Sequence, residues 1–379
     1  IFKSADPAPS FNNNVWSITE LANKGEKTIK IKGVIVGQEG EEKTAKIMLG
    51  AQSPKDERVL GVVYNSVSGM FIIKKPFIGL NVTVNNESNP EYTILPGKNV
   101  RINIAWQNNN PTKVHDVVIE ATLKGEVLNR NSVYAAGGGF YRSIDNTVVW
   151  NKEGVSDLAG LEPGAKGSFG FSFYPVNSGI DVDRLIKNPE VDIEVRVRAK
   201  RTSESNVPEE ITSFALQKVK IQTALSLSSR GLYYSGPFKN KGALPPKADS
   251  ETTYTIVWTI KNTSNSVSNA TVTAVLPLYT KWLGAVSPQG EDVSFDERNS
   301  EVIWNIGRIP AGGTREVAFQ ISFLPSLSQV GQYVDLIKET IVSATDDFTK
   351  TTVSDKEVPV RTILNSDPKF VQEQGVVVQ

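Results

Sequence analysis

The 379-residue sequence has no cysteine, a single histidine and only two methionines. Without thiols the chain can form no disulfide, no thiolate zinc site and no cysteine nucleophile. No apolar stretch approaches the roughly 20 residues that a membrane-spanning helix needs. Because the chain begins at Ile1, with neither methionine nor a signal peptide, we expect a mature or cut form whose targeting or anchor segment lies upstream.

The chain also lacks an excess of either charge, since 41 basic residues stand against 41 acidic ones. A nucleic-acid-binding protein would show a basic face or stripe, and a polybasic membrane-surface protein would show a cluster of lysine and arginine. Neither class is supported. The length and the ordinary share of hydrophobic residues indicate a globular chain of two or three domains.

One pattern occurs three times. The stretch EVIWNIGRIPAGGTREVAFQISF ends at Phe323, and related stretches surround Trp16 and Trp150. When Trp16 is set on Trp304, apolar residues coincide at alternate positions further along, which is the period of a strand with one buried face. The copy after Trp150 needs about six extra residues before the alternation resumes.

A second block occurs twice. The strand NVRINIAWQN leads to Asn108, and TYTIVWTIKN leads to Asn262. Each asparagine is followed by a polar loop and another alternating strand, and 42 residues separate Asn108 from Trp150 and Asn262 from Trp304. Two markers at equal spacing predict one domain type of about 140 to 150 residues, repeated in tandem.

Short alternating strands, frequent turn residues and almost no helical periodicity predict an all-β chain of tandem immunoglobulin-like antiparallel β-sandwich domains. The linkers are short, so we expect beads on a semi-rigid rod. The predicted units are an incomplete domain that is the C-terminal half of a sandwich, two immunoglobulin-like domains of which the second matches the repeat best, and a tail: 1–77, 78–222, 223–364 and 365–379.

Residues 1–77 contain no counterpart of the strand that carries Trp106 or Trp258. Two explanations stay open: the chain is a fragment, or strands of a neighbouring subunit complete the unit, as in donor-strand polymers. The tail DPKFVQEQGVVVQ is the natural donor. The other interpretations of the tail are a frayed end and the start of a further repeat.

No motif for catalysis or cofactor binding stands out. His115 lacks a nucleophile elbow nearby and is interpreted as a solvated loop residue. The Gly-rich stretch YAAGGGFYRS lacks the lysine and helix of a phosphate-binding loop, and predicts a flexible loop with a contact surface at its tip. The candidate interaction residues are Gly137, Gly138, Gly139, Phe140, Tyr141 and Trp282.

Tryptophans in alternating strands usually fill the core of such sandwiches. We therefore expect five of the six to be buried and Trp282 to be more exposed. The five are Trp16, Trp106, Trp150, Trp258 and Trp304.

Two pairs of carboxylates, in the segments 181–184 and 345–348, are weak candidates for calcium at domain junctions, which needs six or more oxygen ligands. No other cofactor is expected. Four asparagines stand in N-x-S/T sequons, which accept glycans only where a glycosylation machinery exists. They are Asn81, Asn86, Asn262 and Asn269.

The stretch from NTSNSVSNATVTAVLPLYTKWLGAVSP to VIWNIGRIPAGGTREVAFQISF resembles the immunoglobulin-like conserved repeats of bacterial and archaeal cell-surface proteins, often filed as a domain of unknown function. The mix of repeats is also similar to large surface proteins of ultra-small candidate-phyla bacteria. The match is best over about 140 residues of the third unit. The second unit departs from it, with EATLKGEVLNR in place of the LP element. The resemblance implies surface display, tandem spacing and no catalysis.

Three functions follow from these observations. The first is a non-enzymatic, extracellular structural protein: a stalk, coat or filament subunit whose partner is itself, head to tail, or a neighbouring cell-surface protein. The second is an adhesin that contacts other cells or glycans through its loops. The third is an accessory region of a larger surface enzyme.

Overall fold

The computed structural model describes residues 2–33, 35, 42–72, 76–176, 185–202 and 208–379. Regular structure in these residues consists of strands and short 3₁₀ turns, which confirms the prediction of an all-β chain. The strands fall into an N-terminal segment and two domains with separate hydrophobic cores.

The N-terminal segment contains two antiparallel pairs of strands, β1 with β2 and β3 with β4. No described residue before Ile78 is buried. The strands are β1 (Phe2–Asp6), β2 (Lys30–Gly33), β3 (Glu42–Ser53) and β4 (Asp56–Ile72).

The first domain has two sheets that enclose one core. The larger sheet runs β10-β11-β8-β14-β15-β6, with β12 also on β8, and the smaller runs β5-β7-β13-β9. Alternate residues of each strand enter the core; in β7 these are Val100, Ile102, Ile104 and Trp106. The strands are β5 (Ile78–Val84), β6 (Glu91–Ile94), β7 (Val100–Asn108), β8 (Val114–Lys124), β9 (Tyr134–Ala135), β10 (Phe140–Arg142), β11 (Thr147–Trp150), β12 (Gly160–Leu161), β13 (Lys166–Phe173), β14 (Glu190–Thr202) and β15 (Pro208–Ile221).

The second domain is built in the same way, from a sheet β16-β17-β22-β19 and a sheet β20-β21-β18-β24-β25, with a small pair β23-β26. Its core joins both sheets. The strands are β16 (Leu225–Leu232), β17 (Thr252–Asn262), β18 (Val267–Val275), β19 (Thr280–Ser287), β20 (Asp292–Asp296), β21 (Glu301–Ile309), β22 (Thr314–Phe323), β23 (Asp335–Ile337), β24 (Thr340–Asp346), β25 (Thr352–Glu357) and β26 (Val360–Arg361).

The strand order of the two domains agrees position by position. The sheet β5-β7-β13-β9 corresponds to β16-β17-β22-β19, and β10-β11-β8-β14-β15 corresponds to β20-β21-β18-β24-β25. The parallel strand β6, which covers the outer edge of β15, has no counterpart on β25.

The six extra residues after Trp150 interrupt one strand. In the second domain β21 is continuous from Trp304 to Ile309, and Ile309 pairs with Val267. In the first domain the equivalent strand stops at Trp150, passes through a 3₁₀ turn at Ser156–Ala159, and resumes as β12. The insertion therefore lengthens a loop and leaves the core pairing unchanged.

The tryptophans of the two domains lie in the cores as predicted. Trp150, Trp258 and Trp304 are fully buried, and Trp106 is 9% exposed. The prediction for Trp16 was wrong: this residue follows an isolated bridge, is half-buried, and donates through Nε1 to the Pro7 carbonyl at 2.9 Å. The described N-terminal segment has no second sheet packed over it, so the indole has no core to enter.

The stretch 365–379 is packed on the second domain. Val377 is 1% exposed and belongs to its core, and Val378 pairs in parallel with Lys247. Asp367 is also buried and accepts hydrogen bonds from the backbone N–H groups of Tyr233 and Tyr234, at 2.7 and 2.6 Å. A frayed tail does not describe this segment.

Candidate interaction surfaces and the domain junction

The Gly-rich stretch after β9 is folded against the core of the first domain. The Trp150 indole donates to the Ala136 carbonyl at 2.8 Å, and a Cβ on Gly139 would lie 2.3 Å from Nε1 of the same ring. Gly137 and Gly138 have φ values of 67° and 80°, which favour glycine. The glycines thus allow the backbone to cross the tryptophan, and the flexibility of this stretch stays a prediction.

Phe140 and Tyr141 follow these glycines on the edge strand β10. The Phe140 side chain is 48% exposed, whereas Tyr141 packs partly on the core and donates its hydroxyl to Oδ1 of Asn146 at 3.0 Å. Two further apolar residues near this edge, Tyr134 and Ile144, are 68% and 91% exposed. The exposed apolar side chains in this region are therefore those of Tyr134 on β9, of Phe140 on β10 and of Ile144 in the turn after β10.

Trp282 is more exposed than the four tryptophans that lie in the domain cores, as predicted. It lies on β19, half-buried against the core of the second domain. Its ring centroid is 5.2 Å from that of Phe319 and 6.3 Å from that of Phe295, with which it is stacked. These contacts give Trp282 a structural role, and its role as an interaction residue stays a prediction.

His115 lies on β8 rather than in the preceding loop. It is exposed and pairs in register with Gly160 and Lys200 on the neighbouring strands. The adjacent Asp116 accepts hydrogen bonds from Lys152 and Lys200 at 2.8 and 3.2 Å. These two ammonium groups, Lys152 first, hold the pKa of Asp116 below its ordinary value, as expected of an ion pair and not of a general base.

An asparagine at the end of the second core strand makes the same contacts in both domains. Nδ2 of Asn108 donates to the carbonyls of Leu161 and Glu162, at 3.0 and 3.1 Å. Nδ2 of Asn262 donates to those of Ile309 and Pro310, at 3.2 and 3.0 Å. Both asparagines are buried, so each side chain ties β7 or β17 to the far end of the opposite sheet.

The junction between the domains contains a buried aspartate. Oδ2 of Asp346 accepts from the backbone N–H of Thr223 and from Nδ2 of Asn265, both at 2.8 Å. Oδ1 accepts from the N–H groups of Phe348 and Thr349, at 2.8 and 3.0 Å. Asp346 has no solvent-accessible surface, and its four N–H donors saturate the carboxylate.

Asn265 and Gln222 connect this network to the first domain. Asn265 Nδ2 also donates to the carbonyl of Ile221, the last residue of β15, at 3.0 Å. The backbone N–H of Gln222 donates a hydrogen bond to the carbonyl of Ile94 in the first domain. The side-chain amide of Gln222 donates to Oγ1 of Thr351 in the second domain, at 2.6 Å. The connection is therefore fixed on both sides within a few residues of the last strand.

Two further contacts between the domains lie beside this network. The ammonium of Lys220 lies 5.2 Å from the ring centroid of Phe348, within the range of a cation–π interaction. The Leu185 side chain of the first domain lies at Gly312 of the second, where an added Cβ would be 3.1 Å from Leu185 Cδ2.

Neither weak calcium candidate becomes a site in the described residues. The segment 181–184 lies outside them, and Asp346 of the segment 345–348 is saturated by N–H donors. Within the described part of the chain no group of three histidine, cysteine, aspartate or glutamate residues could hold a metal ion.

The four sequons differ in accessibility. Asn81, Asn86 and Asn269 are exposed, whereas Asn262 is 4% exposed and its amide is used in the contacts described above. A glycan on Asn262 is incompatible with this fold.

In the described residues, no helix is long and apolar enough to cross a membrane. No protein-family model and no curated protein matches the chain. Among solved structures, the C-terminal domain of the Streptococcus agalactiae AgI/II polypeptide BspA aligns with 75% of this chain and 100% of its own, at 10% identity and a TM-score of 0.26. The C-terminal domain of the Streptococcus pyogenes antigen I/II-family protein AspA aligns with 75% and 99%, at 10% identity and a TM-score of 0.27. Similarity at this sequence identity and TM-score does not assign the chain to a family.

Proposed function

We propose that the chain is a structural part of an extracellular bacterial surface protein, in which immunoglobulin-like domains follow one another as a semi-rigid rod. It performs no catalysis and acts as a spacer in a stalk, coat or filament. The observation that carries the proposal is the junction at 221–223: two domains of the same strand order meet there through buried hydrogen bonds instead of a tether.

The immunoglobulin-like description rests on sheet composition. The sheet β16-β17-β22-β19 has the order of the A-B-E-D sheet of that fold, and β20-β21-β18-β24-β25 has the order of the sheet centred on strand C. In the first domain the parallel pairing of β6 with β15 places an added strand beside the last strand of the domain.

A spacer must hold its domains at a fixed separation and orientation, and this junction is suited to that task. A Gly/Ser tether would let the domains reorient, whereas Asp346, Asn265 and Gln222 join the last strand of one domain to the first loops of the next. Bending at this point would break the bond from the Thr223 N–H to the Asp346 carboxylate, which as a bond to a charged group contributes about 1.5–3 kcal/mol. It would also break the neutral bonds that Asn265 and Gln222 make across the junction.

Small-angle X-ray scattering tests the rod. We expect the pair-distance distribution of the purified chain to show two resolved domains at a fixed separation, unchanged between low and high salt because the network is buried. A distribution that requires an ensemble of inter-domain angles would contradict the proposal. When the same measurement is made on a variant at Asp346, the matched control is Asp347→Asn, because Asp347 carries the neighbouring, partly exposed carboxylate.

A second candidate, adhesion, is favoured by one observation: Phe140 on β10 and Ile144 in the turn after it are 48% and 91% exposed. Apolar rings at a sheet edge suit stacking on a glycan or packing on a partner. The test is binding of the labelled chain to bacterial cells and to immobilised glycans. Phe140→Ser with Ile144→Ser should abolish binding, whereas Ile341→Ser, an exposed site in the other domain, should not. Equal binding by both variants would refute adhesion through this edge.

A further inference from the structure

The first two strands of the first domain, β5 and β6, run beside its last strand, β15. Four hydrogen bonds join them, and these bonds follow in the same order along both parts of the chain. Ser213 Oγ accepts from the Ile78 N–H at 3.4 Å, Gln217 Nε2 donates to the Val82 carbonyl at 2.9 Å, and the N–H groups of Lys218 and Gln222 donate to the carbonyls of Pro90 and Ile94, both at 2.9 Å. The strands β5 and β6 therefore run in the same direction as β15.

The part of this contact nearest the second domain is a parallel strand pair. Residues 91–94 of β6 pair with residues 218–221 of β15 in continuous register. The ammonium of Lys220 also lies 2.6 Å from a carboxylate oxygen of Glu91. Backbone pairing, side-chain hydrogen bonds and an ion pair thus all connect the start of the domain to its end.

Tension along the chain loads this contact in shear. Because the strands run in the same direction, the start of β5 and the end of β15, at the junction with the second domain, lie at opposite ends of the first domain. A pull on both ends of the chain therefore draws β5 and β6 one way and β15 the other, along their common axis. The hydrogen bonds of paired strands lie across this axis, so they share the load and must break together.

The second domain has no strand pair of this kind in its described residues. Its β25 is the outer strand of a sheet. The first strand of the domain, β16, is hydrogen-bonded to β25 through a side chain, because the Leu227 N–H donates to Oδ2 of Asp355 at 2.8 Å. A bond to one side chain carries less load than a paired strand, so the two domains differ in their resistance to tension although their strand order agrees.

We propose that the first domain is a load-bearing element, in which the contact of β5 and β6 with β15 acts as a shear clamp that keeps the domain folded under tension. The second domain lacks the clamp and unfolds at a lower force. This inference rests on the proposed function, because a rod pulled from both ends is what loads the domain along this axis.

Optical tweezers test the clamp, because the chain has no native cysteine and DNA handles can be attached to any introduced pair. Pro76→Cys with Ala224→Cys, both exposed sites, pulls the clamp in shear. Leu95→Cys, 53% exposed, with Ala224→Cys pulls on one end of the same pair, so that its bonds open one after another. We expect the shear pair to withstand at least about threefold more force, because several bonds break together. Its rupture should release about 50 nm of chain.

A second pair of handles and one substitution make the test specific. Ala224→Cys with Arg361→Cys loads the second domain between its first and last strands, and this domain should unfold at a lower force than the first. Gln217→Met removes the donor to the Val82 carbonyl. It should lower the shear force by roughly a fifth, about the share of one bond among those loaded, and leave the unzipping force unchanged, because unzipping begins at the other end of the contact. Gln107→Met, at an exposed glutamine on β7, is the matched control and should change neither force.

Three results would overturn the proposal: equal forces in the two pulling directions, a second domain that withstands more force than the first, or a folded Gln217→Met chain with an unchanged shear force. A Gln217→Met chain that releases less than the full length of the domain is misfolded, and the two directions in the parent chain then decide. The clamp and the rod can fail separately. Scattering that shows variable inter-domain angles refutes the rod, whereas a high shear force in the same chain still supports the clamp.

Discussion

Replacing Asp346 by asparagine keeps the shape of the side chain and removes one carboxylate oxygen. The new amide group must face two of the four N–H donors, either Thr223 and Asn265 or Phe348 and Thr349. A buried donor without an acceptor costs about 1–3 kcal/mol. We therefore expect the free energy of unfolding of the second domain to fall by about 2–4 kcal/mol.

Differential scanning calorimetry measures this effect. For a domain of this size each kcal/mol shifts the melting temperature by roughly 2–4 °C, so the second-domain transition should move down by roughly 5–15 °C. Asp347→Asn is the control: Asp347 forms an ion pair with Arg308 at 3.8 Å, and a surface pair contributes at most about 1 kcal/mol. The reasoning is refuted if the two substitutions shift the transition equally, or if Asp346→Asn destabilises the first domain instead.

Further predictions concern each domain separately. Asn108→Ala and Asn262→Ala should each lower the free energy of unfolding of their own domain by about 2–3 kcal/mol. Urea titrations followed by tryptophan fluorescence measure this, and an effect in one domain alone would contradict the equivalence of the two asparagines. Gly139→Ala should destabilise the first domain by more than 1 kcal/mol because its Cβ would overlap an indole ring, whereas Gly170→Ala, with 3.4 Å of space, should cost less. Burial works to raise the pKa of Asp367, but four backbone N–H donors outweigh it and hold the pKa below its ordinary value. The carboxylate therefore contributes stability above the unfolded-state pKa of about 3.9 that is lost as the pH falls below it, and Asp367→Asn should remove this part of the pH dependence.

The strands were predictable because their signal is local. Alternation marks β5 at Ile78–Val84 to the residue, and also marks the inward row of β7, because one face of each strand meets a core. The same alternation at 29–35 predicted a buried strand, yet Ile31 is 50% exposed. Periodicity reports a face suited to burial, and it cannot report whether a second sheet is present to cover that face.

The junction was not predictable in the same way. Aspartate pairs occur throughout the sequence, and nothing in TDDF distinguishes Asp346, which is saturated by N–H donors, from Asp347, which is partly exposed. Its four donors lie at 223, 265, 348 and 349, so the network exists only after folding. The asparagines Asn108 and Asn262 could be found earlier, because their positions recur at equal spacing from a tryptophan.

Trp282 and the glycines after β9 show a further limit. The position of Trp282 outside the repeated markers predicted its greater exposure, but it gave no sign that the ring stacks on Phe295 within the same domain. Gly139 is required by the ring of Trp150, a contact between residues whose separation in sequence gives no signal.

The most direct test of the account is the distance between the two domains across the junction. Because the chain has no cysteine, Asn81→Cys and Ser228→Cys, both exposed on the first strand of their domains, can carry spin labels. Double electron–electron resonance between the two labels should give one narrow distance distribution. Asp346→Asn should broaden this distribution, and Asp347→Asn should leave it unchanged. A broad distribution in the parent chain would contradict the central claim that the two domains form a semi-rigid rod.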